Sequence, residues 1–223
     1  MKEYTAEQLA SRISDLKEIE NTVSRYAFLT YYKRYAEALS TLWVSPAAVP
    51  TLTANDRRIE GYDAVKAFLV DEGEEAVLAD NAAMRALFPE ELAGKADSEI
   101  WGVGSAVVHT ITTPLIELAG DQQTAKGMWY SVGQNTDIDH AKGPVAYWNW
   151  EKYALDLKKE DGKWKIWHLI ICTDFKSQVG RNWADSNIAP SGDYYKAYDT
   201  HQTPQDYPPM PEPYETFAET FSY

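Results

Sequence analysis

Apolar residues in the first part of the chain recur at helical spacing. Leu9, Ile13, Leu16, Ile19, Val23, Tyr26, Ala27 and Thr30 fall three or four residues apart, so one face of a long helix is apolar. Thr5-Ala6-Glu7-Gln8 precedes this run with the spacing of a capping box, in which hydroxyl and amide side chains satisfy orphan groups at a helix start. At about 100° of rotation per residue, Tyr26 and Tyr31 flank the stripe and Tyr32 points away. The pattern therefore predicts Tyr31 as a pocket residue. A second helical stretch is predicted from Tyr35 to Trp43, and residues 55–69 read as an edge strand entering a helix. Residues 72–98, rich in Ala and Glu, predict a helical insertion broken at Pro89, either a lid or a solvated helix.

The period then changes from about 3.6 to 2. Val107, His109, Ile111 and Thr113 alternate to one face, Thr112-Thr113-Pro114 and Gly120-Asp121 punctuate, and β-branched and aromatic residues resume at Thr124. This is a hairpin pattern from Val107 to Tyr130. A polar imidazole on an otherwise apolar face is either a hydrogen-bonded structural residue or a proton carrier. A second hairpin pairs residues 144–158 with 164–174 across Glu160-Asp161-Gly162-Lys163. In its first strand Tyr147, Asn149, Glu151, Tyr153 and Leu155 share a face opposite Trp148, Trp150, Lys152 and Asp156. In its second, Trp164, Ile166, His168, Ile170 and Cys172 share a face opposite Lys165 and Trp167. Both parities follow from the cost of burying lysine, and a one-residue bulge would flip either. Between Thr124 and Tyr130, alternation leaves open whether Trp129 or Met128 faces the pocket. After residue 175 no period is sustained, but the aromatic content is too high for a disordered tail, so 176–223 predicts an extended wrap over its own subunit or a neighbour.

Composition narrows the chemistry. A net charge of -13, from 34 acidic and 21 basic residues, argues against nucleic acid or an anionic membrane as partner. A lone cysteine, Cys172, excludes an intramolecular disulfide framework. The amino terminus lacks the apolar stretch of a signal peptide, and no run approaches the ~20 apolar residues of a membrane span, which predicts a cytoplasmic protein. Four histidines, at 109, 140, 168 and 201, form no HExxH or other metal-ligand spacing, and no Walker loop, GxGxxG or nucleophile elbow occurs. No metal and no cofactor are expected. Eight Trp and 15 Tyr exceed the needs of a small core and suit pockets and interfaces. Trp148, Trp150 and Trp167 on one strand face predict a homodimer or higher homo-oligomer.

The succession of SRYAFLTYYKRYAEAL, HTITTPLIELAGDQQTAKG and KKEDGKWKIWHL resembles the nuclear transport factor 2-like superfamily over roughly residues 9–175. Its members include scytalone dehydratase, ketosteroid isomerase, polyketide cyclases and bile-acid dehydratases. The resemblance implies an α+β, cone-shaped domain over residues 1–175, with a strongly curved mixed, mainly antiparallel sheet wrapped around the long N-terminal helix and a deep pocket. Similarity to scytalone dehydratase implies that Tyr31 is a pocket tyrosine, that His109 is the first-strand catalytic histidine, and that Tyr153 stands where that enzyme has an asparagine. Two departures change the proton inventory: the second catalytic histidine falls near Met128, and the helix Asp is replaced by Tyr32.

The implied activity is a cofactor-independent lyase, of dehydratase or deformylating type, acting by acid-base catalysis on a hydroxylated aromatic or polycyclic molecule such as a lignin-derived diarylpropane. Isomerase or cyclase chemistry, and a non-catalytic binding or assembly module, are the rival readings. His109 would move the proton, Tyr31 and Tyr153 would hold oxygen, and His168 and Glu151 are further catalytic candidates. Tyr26, Asn149, Trp129, Met128 and Ile111 would line the substrate pocket.

Overall fold

A computed structural model describes residues 4–54, 57–181 and 208–218. Helix α1 spans Ala6–Tyr31 and opens on the Thr5–Gln8 capping box. Its stripe is buried only in the C-terminal half, through Ile19, Val23 and Tyr26, while Leu9 and Ile13 are exposed. The first half docks through polar groups. Asp15 accepts from Lys159 Nζ at 2.7 Å and Trp164 Nε1 at 2.9 Å, and Glu18 accepts from the Trp164 amide. These bonds fix the roll of the helix and turn Leu9 and Ile13 away from the sheet.

Helix α2 (Tyr35–Leu42) leads into β1 (Thr51–Ala54) and β2 (Arg57–Glu60). Helix α3 (Tyr62–Lys66) continues through a wide turn at Ala67–Asp71 into α4 (Glu72–Leu87), which ends at Phe88, just before Pro89. The proline supplies no amide to continue the ladder. Four long strands follow: β3 (Val107–Leu118), β4 (Thr124–Asp139), β5 (Gly143–Glu160) and β6 (Lys163–Gln178).

The six strands form one sheet in the order β2-β1-β6-β5-β4-β3. Among these strands only β1 and β6 pair in parallel; every other pair is antiparallel. Register shifts fall between Thr112 and Leu115, at Trp150/Glu151 and at Asp156/Leu157. Each extra residue bends its strand, and together they curve the sheet around α1. The inner face buries Leu118, Ala125, Trp129, Tyr153, Leu155, Leu157, Ile166 and Leu169 against α1 and α2. Full burial of each such side chain contributes about 1.5–3 kcal/mol.

The shift at Asp156/Leu157 overturns one predicted parity. Leu157 pairs with Ile166 but Asp156 pairs with His168, which leaves Trp167 as the bulged residue. Trp164 and Ile166 face α1 as expected. Beyond the bulge, Leu169 joins the inner core and His168 lies on the outer face beside Asp156.

The predicted extension at 176–223 begins as strand, since residues 176–178 complete β6, and its last described part, residues 208–218, runs over the outer sheet face. The Gly120 and Asp121 amides donate to the carbonyls of Tyr214 and Glu215 at 2.9 and 3.1 Å, and Tyr214 Oη donates to Thr124 Oγ1. Phe217 packs on Trp167 with ring centroids 4.7 Å apart. A Cβ at Gly120 would displace the Glu215 carboxylate and stand 3.2 Å from the Glu215 Cα, so glycine suits this close approach. Trp167 is thus covered from within the chain, whereas Trp148 and Trp150 remain 44% and 38% exposed. Residues 182–207 and 219–223 of the extension lie outside the described residues, and no described helix is long and apolar enough to cross a membrane.

Candidate active site

Strand register converges polar side chains on the inner face. His109 of β3 lies opposite Gly133 of β4, which lies opposite Asn149 of β5; one row further, Ile111, Ser131, Glu151 and Thr173 align. Gly133 is needed here, because a Cβ would stand 2.9 Å from the Val108 carbonyl and 3.1 Å from His109 Nδ1. The imidazole therefore lies close over the β4 backbone.

Glu151 is the hub. Its Oε1 accepts from Asn149 Nδ2 at 2.7 Å and from Thr173 Oγ1 at 3.3 Å. His109 Nδ1 lies 3.0 Å from Glu151 Oε2 and 3.2 Å from Ser131 Oγ. The approach to Oε2 is a close ion-pair contact rather than an aligned hydrogen bond, and Oε2 is left buried without an aligned donor. Burial pushes the Glu151 carboxyl up, but the His109 contact, with donation from Asn149 and Tyr153, outweighs it and holds the group below its ordinary value. Tyr153 moves the other way: burial first, then the charge of Glu151, raise its phenol well above 10, so it stays protonated. Tyr26 is raised by burial and by the nearby Tyr35 and Glu151. The result is a carboxylate kept ionised beside an imidazole, among neutral phenols. With Nδ1 turned to Glu151 and Ser131, Nε2 is the nitrogen left to exchange a proton with a ligand.

The structure brings together His109, Glu151, Tyr153, Asn149 and Tyr26 from the sequence-predicted set. His109 and Tyr153 have ring centroids 6.1 Å apart, and Ile111 packs at the edge of the same core. Trp129 is buried on this face, folded over Gly127, where any side chain would strike its ring. Three candidates lie elsewhere. Tyr31 is 44% exposed and packs on Tyr32, because the roll of α1 puts Tyr26 toward the sheet instead. Met128 has the opposite parity to Trp129 and lines a cavity on the outer face. His168 is on the outer face, by the bulge described above. Ser131 and Thr173 are site residues that periodicity alone does not single out. Extending the Ala125-Gly127-Trp129 alternation by one step finds Ser131, whereas Thr173 is reachable only through the bulge.

The outer face holds its own polar cluster. His168 Nδ1 is 2.8 Å from Asp156 Oδ2, Lys126 Nζ is 3.1 Å from Asp156 Oδ1, and all three residues are buried. Trp167 stacks on His168 at 4.3 Å, and the Lys126 ammonium lies 4.5 Å from the centre of the Phe217 ring. Two cavities of about 340 and 570 Å³ lie here, between the sheet and residues 208–218, and neither is lined by His109 or Glu151. Among the described residues no three His, Cys, Asp or Glu side chains gather as a metal-holding group.

Comparison with known proteins gives the same architecture. The family described as SnoaL-like domain matches residues 11–170. A protein from Novosphingobium aromaticivorans, provisionally assigned as a scytalone dehydratase, superposes with a TM-score of 0.54 at 15% identity, covering 78% of this chain and 99% of its own. The hexachlorocyclohexane dehydrochlorinase LinA-type3 from Novosphingobium barchaimii LL02 superposes with a TM-score of 0.54 at 9% identity, covering 77% and 94%. A provisionally assigned dehydratase of the NTF2-like family from Streptomyces avermitilis gives 0.51 at 10% identity, covering 71% and 95%. At these identities the likeness is one of fold. No curated protein matches the chain.

Proposed function

The chain belongs to the SnoaL-like domain family of the nuclear transport factor 2-like superfamily, and on that premise we propose that it is a cofactor-independent lyase for a hydroxylated aromatic or polycyclic small molecule. The observation that carries the reading is the His109–Glu151 pair: a buried carboxylate 3.0 Å from an imidazole whose side chain is 16% exposed. Glu151 holds Nδ1 and balances the charge when Nε2 takes a proton, which is the division of labour general acid-base catalysis needs. The fold neighbours described as dehydratases and a dehydrochlorinase support an elimination.

Two forms of the step balance on these residues. In a dehydration, His109 removes a proton from carbon, the electron pair forms the double bond, and the adjacent hydroxyl leaves as water with the proton His109 returns. In a deformylating variant on a 1,3-diol, His109 takes the proton of the terminal hydroxyl and formaldehyde departs as the carbon-carbon bond breaks. Those electrons form the alkene, and the second hydroxyl leaves as water with the proton His109 returns. Tyr153 and Tyr26, neutral throughout, bound the reacting group, and Trp129 and Ile111 form apolar wall.

The test is turnover of 1,2-diarylpropane-1,3-diols and related benzylic alcohols, followed by mass spectrometry for loss of water or of formaldehyde. A folded His109→Gln variant should lose turnover by about 10²–10⁴-fold while retaining ligand binding. Undiminished turnover in that variant would remove His109 from the chemistry.

A further inference from the structure

The polar inventory of the inner face is unbalanced in one direction. Asn135 Oδ1 and Asn149 Oδ1 are buried acceptors with no aligned hydrogen-bond donor among the described residues, and Glu151 Oε2, 3.0 Å from His109 Nδ1, has a second lone pair that no aligned donor fills. Nearby donors are already committed: Asn149 Nδ2 and Thr173 Oγ1 both give their protons to Glu151 Oε1, and Tyr153 also bonds to Glu151. The orientation of Asn149 follows from that pairing. Its amide nitrogen must face the carboxylate, so its carbonyl oxygen faces away.

These three acceptors are also in order. Asn135 pairs with Tyr147, Gly133 with Asn149, and Ser131 with Glu151, in unbroken register between β4 and β5. Successive rows on one face are two residues apart, about 7 Å along the strand. His109 stands against the middle row, opposite Gly133. A buried acceptor left unpaired is costly, and three in sequence, one of them in the acid-base pair itself, are hard to account for as packing alone.

Resting on the lyase reading above and concerning the same site, we propose that Asn135, Asn149 and Glu151 form a ladder of hydrogen-bond acceptors that reads hydroxyl groups along an elongated substrate. The substrate class is thereby narrowed to molecules with hydroxyl donors spaced along their length, in addition to the group that reacts. Two of the three rungs are uncharged amide oxygens, which favours hydroxyls over ammonium groups. A halogenated or fully etherified compound offers acceptors only and leaves the rungs unpaired.

The experiment is calorimetric titration of the full chain with 1,2-bis(4-hydroxyphenyl)propane-1,3-diol and with analogues in which fluorine replaces either the phenol hydroxyls or one propane hydroxyl. Fluorine keeps the size and withdraws the donor. Each replacement should weaken binding about 10- to 100-fold. Asn135→Leu and Asn149→Leu, checked for folding by thermal melting, should each erase the discrimination at one position and leave it at the other; the analogue series on the wild type stands even if a variant does not fold. If the diol is turned over but its fluorinated analogues bind equally well, the ladder is overturned and the lyase reading survives. A liganded crystal structure with only water on the three oxygens overturns the ladder in the same way. A diol that neither binds nor reacts overturns the ladder together with the aromatic-diol substrate.

Discussion

Two histidine-carboxylate pairs sit on opposite faces of one sheet, and they differ in what surrounds the carboxylate. On the inner face Glu151 has the His109 imidazole 3.0 Å from Oε2, an oxygen without an aligned donor among the described residues. On the outer face Asp156 is held by both His168 and Lys126, and the cluster is covered by Trp167, Phe217 and Tyr214. The distances, 3.0 and 2.8 Å, do not separate them. Uncommitted capacity does: the inner pair retains a nitrogen and an oxygen for a ligand, while the outer pair's charges balance within the chain. A close pair is thus poor support for catalysis until its remaining lone pairs are accounted for.

The largest contrast should appear in turnover. His109→Gln is expected to lose about 10²–10⁴-fold, and His168→Gln to stay within about threefold of wild type. Equal losses in parallel steady-state assays would erase the distinction between the faces. In stability the ranking reverses. Asp156→Ala removes the buried carboxylate that Lys126 and His168 both contact and should cost about 3–5 kcal/mol in urea unfolding, whereas Glu151→Gln, which keeps shape and hydrogen-bond capacity, should cost less.

Acid sharpens the comparison. The folded-state pKa of Glu151 is depressed, so its contribution is fully present above the ordinary value of 4.5 and is lost as pH falls through the lower folded value. Thermal melts between pH 6 and 3 should therefore fall less steeply for Glu151→Gln than for wild type; identical slopes would contradict the depressed pKa. The smallest effect is expected at Gly120→Val, which should dislodge residues 208–218 for about 1–2 kcal/mol. Trp167 emission should shift to the red while His109-dependent turnover changes little.

Much of the architecture can be read from periodicity because burial imposes it. The capping box, the strand alternation through Tyr147–Leu155 and the helix ending before Pro89 are each dictated locally. Periodicity fails where tertiary contacts decide. Nothing in Lys163–Gln178 marks Trp167 as the bulge, since no Gly or Pro interrupts the run and tryptophan is itself a good strand former, yet that one residue moves His168 to the far side and Thr173 to the near side. Tyr31 departs from its expected place for a related reason: the roll of α1 is set by Asp15 and Glu18 gripping β6, a polar constraint that an apolar stripe does not contain. The Glu151 hub is legible in parity alone, but its unfilled acceptors are not.

The short turn between β3 and β4 is where α1 and residues 208–218 meet. Arg12 donates to the carbonyls of Leu118 and Ala119, Ser11 donates to Gln122, and from the other direction Tyr214 and Glu215 receive the amides of Gly120 and Asp121. Contacts of such long sequence separation form late, because loop closure must precede them. Synthesis runs from the amino end, so the first helix is available to grip this turn while the closing segment is still unmade. The cover that residues 208–218 give to the outer cluster of Lys126, Asp156 and His168 consequently comes after α1 has gripped the turn, which makes the sealing of that cluster a marker for a later step than the docking of the helix.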